Sequence, residues 1–234
     1  MSQSDWAYLS NDLIYVALAL YALSFLSYTY ETAFSLRANK ISGDKHLDRS
    51  ITTKSRKVAS IVFLLATASL TLAVIARGIS AERIPLGNMY EYSITGAMTF
   101  ALAYLIIGLK YDLSWLGLPS SILILLILGT AITLLYRPSA PLVPALQSSW
   151  LVIHVSSAIL SGGIFLLSNT VAGAYLWLDR IERKGERGEF AKRLPSLESL
   201  DQLSYRLVAF VFPLWTFAVI SGAIWAEAAW GRYW

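Results

Sequence analysis

The chain has no cysteine among its 234 residues. Disulfides, thiolate metal sites, iron–sulfur clusters ligated by this chain and thiol nucleophiles are therefore excluded. Charge is scarce as well. Asp, Glu, Lys and Arg together make up 15%, against about 25% in an ordinary soluble domain. Histidine occurs twice. What fills the chain instead is apolar: 56% of residues are hydrophobic, with a mean hydropathy of +0.56. That composition argues against a disordered chain and against a soluble domain of ordinary make-up.

The scarce charges are also unevenly placed. Six long stretches contain no Asp, Glu, Lys or Arg: Leu13–Tyr30, Val58–Ala76, Tyr92–Leu109, Leu113–Tyr136, Pro138–Leu178 and Leu207–Ala226. A bilayer core needs about 20 apolar residues per helix. The fifth stretch is longer, and its first part, with Pro138, Pro141 and Pro144, reads as a loop. Only helices or closed barrels satisfy their backbone groups in lipid. The expected fold is therefore all-α, a polytopic membrane protein of about six transmembrane helices in one domain. The helices are placed near 13–30, 58–76, 92–109, 116–136, 150–178 and 207–226. Residues 1–12 hold Asp5 and Asp12 and no Lys or Arg, so a cleaved signal peptide is not expected.

The net charge is +4, and its placement gives a topology. Fifteen of the nineteen basic residues fall in the loops 31–57 and 179–206 or at Lys110. All fifteen lie on one side of a six-helix alternation, which the positive-inside rule makes the cytoplasmic side. Both termini then face outward. The partner implied by this charge is the lipid bilayer; no nucleic acid is implied. The outer side carries no Ser–His–Asp set, paired-carboxylate site or phosphate loop, and nothing in the cytoplasmic loops resembles a nucleotide site, which disfavours an ATP-driven pump.

Three features remain on the outer side. His154 lies about one turn inside the fifth helix. An ionisable group there faces a bundle interior or a cavity, either as a ligand or as a structural residue bonded to a carbonyl. Neutral imidazole is also a common haem ligand. The other histidine, His46, sits among Lys45, Asp48 and Arg49 and reads as a solvated surface residue. The second feature is the C-terminal run 221–234, with Trp225, Trp230 and Trp234 separated by Gly and Ala. An aromatic belt accounts for one or two of these; small residues between aromatic walls suit a flat apolar ligand. Trp230 and Trp234 share a face if helical, and Trp225 points elsewhere. The third feature is the turn Arg83–Tyr92, where Asn88 fits an N-cap and Glu91 its capping-box partner.

The stretches Gly-Asn-Met-Tyr-Glu at 87–91, Gln-Ser-Ser-Trp-Leu-Val-Ile-His-Val at 147–155, Leu-Asp-Gln-Leu-Ser-Tyr-Arg at 200–206 and the tryptophan run at 222–234 resemble the CcsA (ResC-like) family of cytochrome c biogenesis proteins, part of the haem-handling superfamily. The likeness runs from about residue 85 to the end. It implies haem b, transiently bound and presented on the outer face to an apocytochrome c carrying Cys-x-x-Cys-His. It implies a CcsB/ResB-type membrane partner and a possible share in a holocytochrome c synthase. By resemblance His154 is an axial iron ligand, Trp225, Trp230 and Trp234 begin the haem platform, and Asn88 and Glu91 belong to the site. Arg137, like Arg83 and Arg232, is a candidate for the propionates by side and charge, with snorkelling to lipid headgroups the alternative for each. The implied location is the inner membrane of a bacterium, or the thylakoid membrane for a plastid-type protein. The family motif continues into Trp-Asp-Pro-Lys-Glu and then further helices with a second external histidine. The chain stops at Trp234, so it is expected to be a piece of a longer protein. Two other readings stay open: a membrane subunit or transporter without haem, and a six-helix haem-delivery protein of the other maturation pathway.

Overall fold

A computed structural model describes residues 1–41, 45–140, 147–185, 188 and 190–233, with the side chains of 34–53 excepted. Within these residues the chain is helical and contains no strand. The helices are α1 (Gln3–Ile41), α2 (Lys45–Ala81), α3 (Met89–Gly108), α4 (Gly117–Leu134), α5 (Ser149–Arg183) and α6 (Leu197–Trp230). A single 3₁₀ turn, Ser114–Leu116, leads into α4, and another spans Ala191–Arg193. All six helices contain a stretch long and apolar enough to cross a membrane. Their outer faces are apolar as well: Leu26, Ile61, Leu126 and Phe210 are among the exposed large side chains. This is a multi-pass membrane protein.

The helices outrun the apolar stretches that mark them. α1 continues past Tyr30 and α2 begins before Val58, so helix covers much of 31–57. α5 likewise runs to Arg183, and α6 starts at Leu197 rather than near 207. Charged residues end a hydrophobic run without ending a helix, because Lys, Arg and Glu are good helix formers.

Lipid offers no hydrophobic force between helices, so small residues and hydrogen bonds carry the packing. α2 buries Ala59, Phe63, Ala66, Leu70 and Ala73 on one stripe, in the spacing of two helices packed side by side. Against it α1 sets Ser10, whose hydroxyl donates to the Ala73 carbonyl at 2.8 Å, and Ser24, which donates to Ala59 at 3.0 Å. α5 and α6 form a second antiparallel pair, and α3 joins the pairs by packing on α5, α4 and α2. The α3–α5 crossing is close at Gly163: a Cβ there would lie 2.9 Å from the Phe100 amide nitrogen.

Because direction alternates, the bundle has two polar ends. One gathers Asn11, Arg77, Glu91, Tyr136 and His154; we call it the histidine end. The other, the basic end, gathers Glu31, Arg56, Asp112 and Arg193.

Candidate functional site

His154 lies on the second turn of α5, whose N-cap is Ser148; the cap hydroxyl accepts from the Trp150 amide. Its imidazole leans on α6. The Nδ1 atom lies 2.7 Å from the Ala218 carbonyl oxygen. A carbonyl can only accept, so Nδ1 carries the proton, and in the neutral ring the lone pair is then on Nε2. The ring fits because residue 222 has no side chain. A Cβ on Gly222 would stand 2.6 Å from both Cε1 and Nδ1 of His154. Ala218 and Gly222 are four apart, so both belong to the α6 face turned to α5.

Three residues on from Gly222 stands Trp225, with its ring nearly parallel to the imidazole (7° between planes, centroids 6.3 Å apart). Trp230 meets Trp225 edge-on at 4.6 Å and 66°. This corrects the expectation that Trp225 points away from the other tryptophans. Indole rings are long enough to meet across more than one turn at a helix end. α6 stops at Trp230, capped by Gly231 in the left-handed conformation (φ 68°), whose amide donates to the Glu227 carbonyl. Trp234 itself lies outside the described residues. Trp230 is 55% exposed, so the cluster presents one bare indole face. Beyond the cap, Tyr233 donates to the Glu227 carboxylate, which holds the phenol above its ordinary pKa. That bond ties the segment after α6 back to the helix end.

Asn88 and Glu91 shape the turn between α2 and α3. Asn88 caps α3, its Oδ1 accepting from the Glu91 amide at 2.9 Å. The Glu91 carboxylate is fully buried and does not complete a capping box on the Asn88 amide. Its Oε1 accepts from Arg77 Nε at 3.0 Å and Arg83 Nη2 at 3.3 Å. Its Oε2 accepts from Arg83 Nη1 at 2.8 Å and the Gly87 amide at 2.8 Å. Two guanidiniums on one carboxylate outcompete a single backbone amide. Arg77 is 1% exposed; its Nη2 donates to the Arg137 carbonyl at 2.7 Å, and its guanidinium lies 5.3 Å over the Tyr90 ring. Arg137 thus enters the network through its backbone, with its side chain exposed.

The structure therefore brings together His154, Gly222, Trp225 and Trp230, and sets Asn88 and Glu91 in a separate ion-paired turn. Sequence reasoning missed the buried position of Arg77 and its pairing with Glu91. It also missed the matching tie at the other end, where Glu31 Oε1 accepts from Arg56 at 3.0 Å and Arg193 at 2.8 Å. A weak signal existed for the first: Arg77 closes an apolar run fourteen residues before the acid that follows the turn.

Comparison with known proteins adds the family. Residues 86–234 match the family model described as "Cytochrome C assembly protein". The chain is 35% identical over 191 residues to "Cytochrome c biogenesis protein CcsA" of Guillardia theta, covering 73% of this chain and 63% of that protein. It is 30% identical over 216 residues to the protein of the same name from Porphyra purpurea, covering 76% and 68%. With the Chlorella vulgaris protein the identity is 35% over 196 residues, covering 70% and 62%. The chain thus spans a little under to a little over two thirds of the length of these relatives. On the strength of both the motif-bearing stretch and the overall identity, this chain belongs to the cytochrome c assembly protein family.

Proposed function

We propose that the histidine end of this bundle holds haem b on the outer face of the membrane and presents it to an apocytochrome c carrying Cys-x-x-Cys-His. The observation that carries the reading is the His154 Nδ1 bond to the Ala218 carbonyl. It leaves Nε2 as a neutral donor, as an iron ligand requires, and the backbone bond fixes the ring's orientation. The surroundings fit the ligand. Trp225 lies parallel to the imidazole and Trp230 meets Trp225 at 66°, so these two indoles would offer apolar surface beside a haem held by His154. Indoles provide wide apolar area with few rotors to freeze.

Bound there, haem supplies the iron and the two vinyl groups at which client thiols attach. The chain's own part is placement. His154 orients, Gly222 makes room for the ring, and Trp225 and Trp230 cover an apolar face. Holding one reactant at a fixed point beside the other supplies effective concentration. The absence of cysteine leaves the client's thiols without a competitor on this chain. Asn88 and Glu91 contribute through the turn they hold. The side chains of Arg137 and Arg232 are exposed at this end and available to propionates, and Trp234 is assigned to the platform by family resemblance alone.

The distribution of basic residues supports an orientation with both termini on the outer side, in a bacterial inner membrane or a thylakoid membrane. A CcsB/ResB-type partner completes the assembly, with the chain acting as a holocytochrome c synthase component. The test is complementation. Cells relying on a His154→Ala or a Trp225→Ala/Trp230→Ala protein should lose haem-staining c-type cytochromes while the membrane protein accumulates. Normal c-type cytochrome levels in both would refute the proposal.

A further inference from the structure

The basic end carries a second feature, unconnected with His154. Two cavities adjoin there, sharing Trp115, Leu118, Phe190 and Leu194 in their walls. The first, of about 260 Å³, is half polar and half apolar, and carries the charged side chains of Glu31, Arg56, Asp112 and Arg193. The second, of about 390 Å³, is apolar, with Phe25, Ile122 and Trp177 in its wall. Ile122 and Trp177 are each 42% exposed, so the apolar cavity opens on the lipid-facing side of the bundle. The two lie at different depths. Phe25 precedes Glu31 by six residues on α1, which places it about 9 Å nearer the bilayer midplane. A charged compartment at the surface continuing into an apolar one beneath it, open sideways, has the shape of an amphiphile lying as lipids lie.

The charged compartment retains donors. Glu31 takes one nitrogen of Arg193, at 2.8 Å, and one of Arg56, at 3.0 Å. Arg56 Nη1 reaches Ser114 at 3.3 Å. A guanidinium offers five N–H groups, so both arginines have N–H groups beyond the bonds made among the described residues. Asp112 is answered locally: donors from the Ser114 amide and hydroxyl hold its carboxyl below the usual range. At the junction of the compartments, the Trp115 indole Nε1 is buried and has no acceptor among the described residues, which is uncommon for a buried donor. The surrounding field is positive, since among the residues with described side chains this end carries ten basic and six acidic ones.

We propose that the two compartments form one seat for an anionic phospholipid. Its phosphodiester is held by Arg193 and Arg56, a headgroup or ester oxygen accepts from Trp115, and an acyl chain lies along Phe25, Ile122 and Trp177. The occupant follows from the depth at which the cavity opens, beside the apolar spans, and from the arginines at its surface end. The seat does not depend on which side of the membrane this end faces, nor on haem at the histidine end.

The experiment uses the protein reconstituted in vesicles of equal phosphatidylglycerol and phosphatidylcholine, extracted gently, with retained lipid identified by mass spectrometry. The ratio of phosphatidylglycerol to phosphatidylcholine among the retained lipid should be about five times that of the bulk, the size of one such cationic contact (about 1 kcal/mol). Arg193→Ala should return the ratio to that of the bulk. Because Arg193 also anchors Glu31, Ile122→Trp provides an arm that fills the apolar cavity and leaves the ion pairs alone. It should lower the amount of phosphatidylglycerol retained. No enrichment in the unaltered protein, or enrichment untouched by both substitutions, overturns the proposal.

Discussion

Gly222→Ala adds one methyl group where the structure has no room for it. The new Cβ would stand 2.6 Å from Cε1 and Nδ1 of His154 and 3.2 Å from Nε2. Carbon atoms in contact settle at about 3.5–4.0 Å, so the ring must retreat by about 1 Å. The Ala218 carbonyl lies on the same α6 face, so that retreat also stretches the 2.7 Å bond to Nδ1 to about 3.7 Å, beyond hydrogen-bond range. The local cost is about 1–3 kcal/mol for overpacking and about 1 kcal/mol for the lost bond. For a metal ligand, losing such an orienting partner lowers affinity about 10–100-fold. The assay is a haem titration of detergent-solubilised protein followed at the Soret band, with circular dichroism to show that the helices persist. Gly162→Ala serves as control, because nothing lies within 4 Å of its added Cβ; it should bind haem as the unaltered protein does. A Gly222→Ala protein with unchanged affinity and spectrum would refute the claim that this contact sets His154 for ligation.

Other perturbations separate the site from its frame. Gly163→Ala meets the α3 backbone and should lower thermal stability by about 1–3 kcal/mol without moving the Soret maximum of bound haem. Glu91→Gln leaves Arg77 and Arg83 facing a neutral amide in a buried cluster. Thermal unfolding should show a loss of about 3–5 kcal/mol, and limited proteolysis should cut first in the turn 82–88. Asp112, outside the spanning helices, has its carboxyl pKa held down by Ser114. Its stabilisation is therefore fully present above the unfolded value of about 4 and is lost as pH falls through the lower folded value. Asp112→Asn should melt below the unaltered protein at pH 7, and the difference should close on acidification.

How much of this was legible in the sequence depends on what kind of physics set each feature. The spans were readable because bilayer thickness imposes a length on every apolar run. The Asn88 cap was readable because capping is local, acting over three residues. His154 stood out because an ionisable group within a span is costly. Gly222 was visible only as one of several small residues near tryptophans. That it receives the imidazole depends on how α6 is rotated against α5, which no one-dimensional pattern encodes. The same holds for Arg77. Read as a charge ending an apolar run, it looked like a loop residue, whereas α2 continues to Ala81 and buries it against Glu91. The Glu31–Arg193 tie spans 162 residues of sequence, and neither residue signals the other. The meeting of Trp225 and Trp230 was misread because helical spacing describes Cβ positions, and indoles reach well past them.

The most direct test of the central claim is the optical spectrum of the protein loaded with haem, with and without His154. The unaltered protein should show a Soret band of coordinated haem. His154→Ala should lose or shift it, and added imidazole, entering the vacated place, should restore it. A His154→Ala protein with the same haem content and the same spectrum would contradict the account at its root.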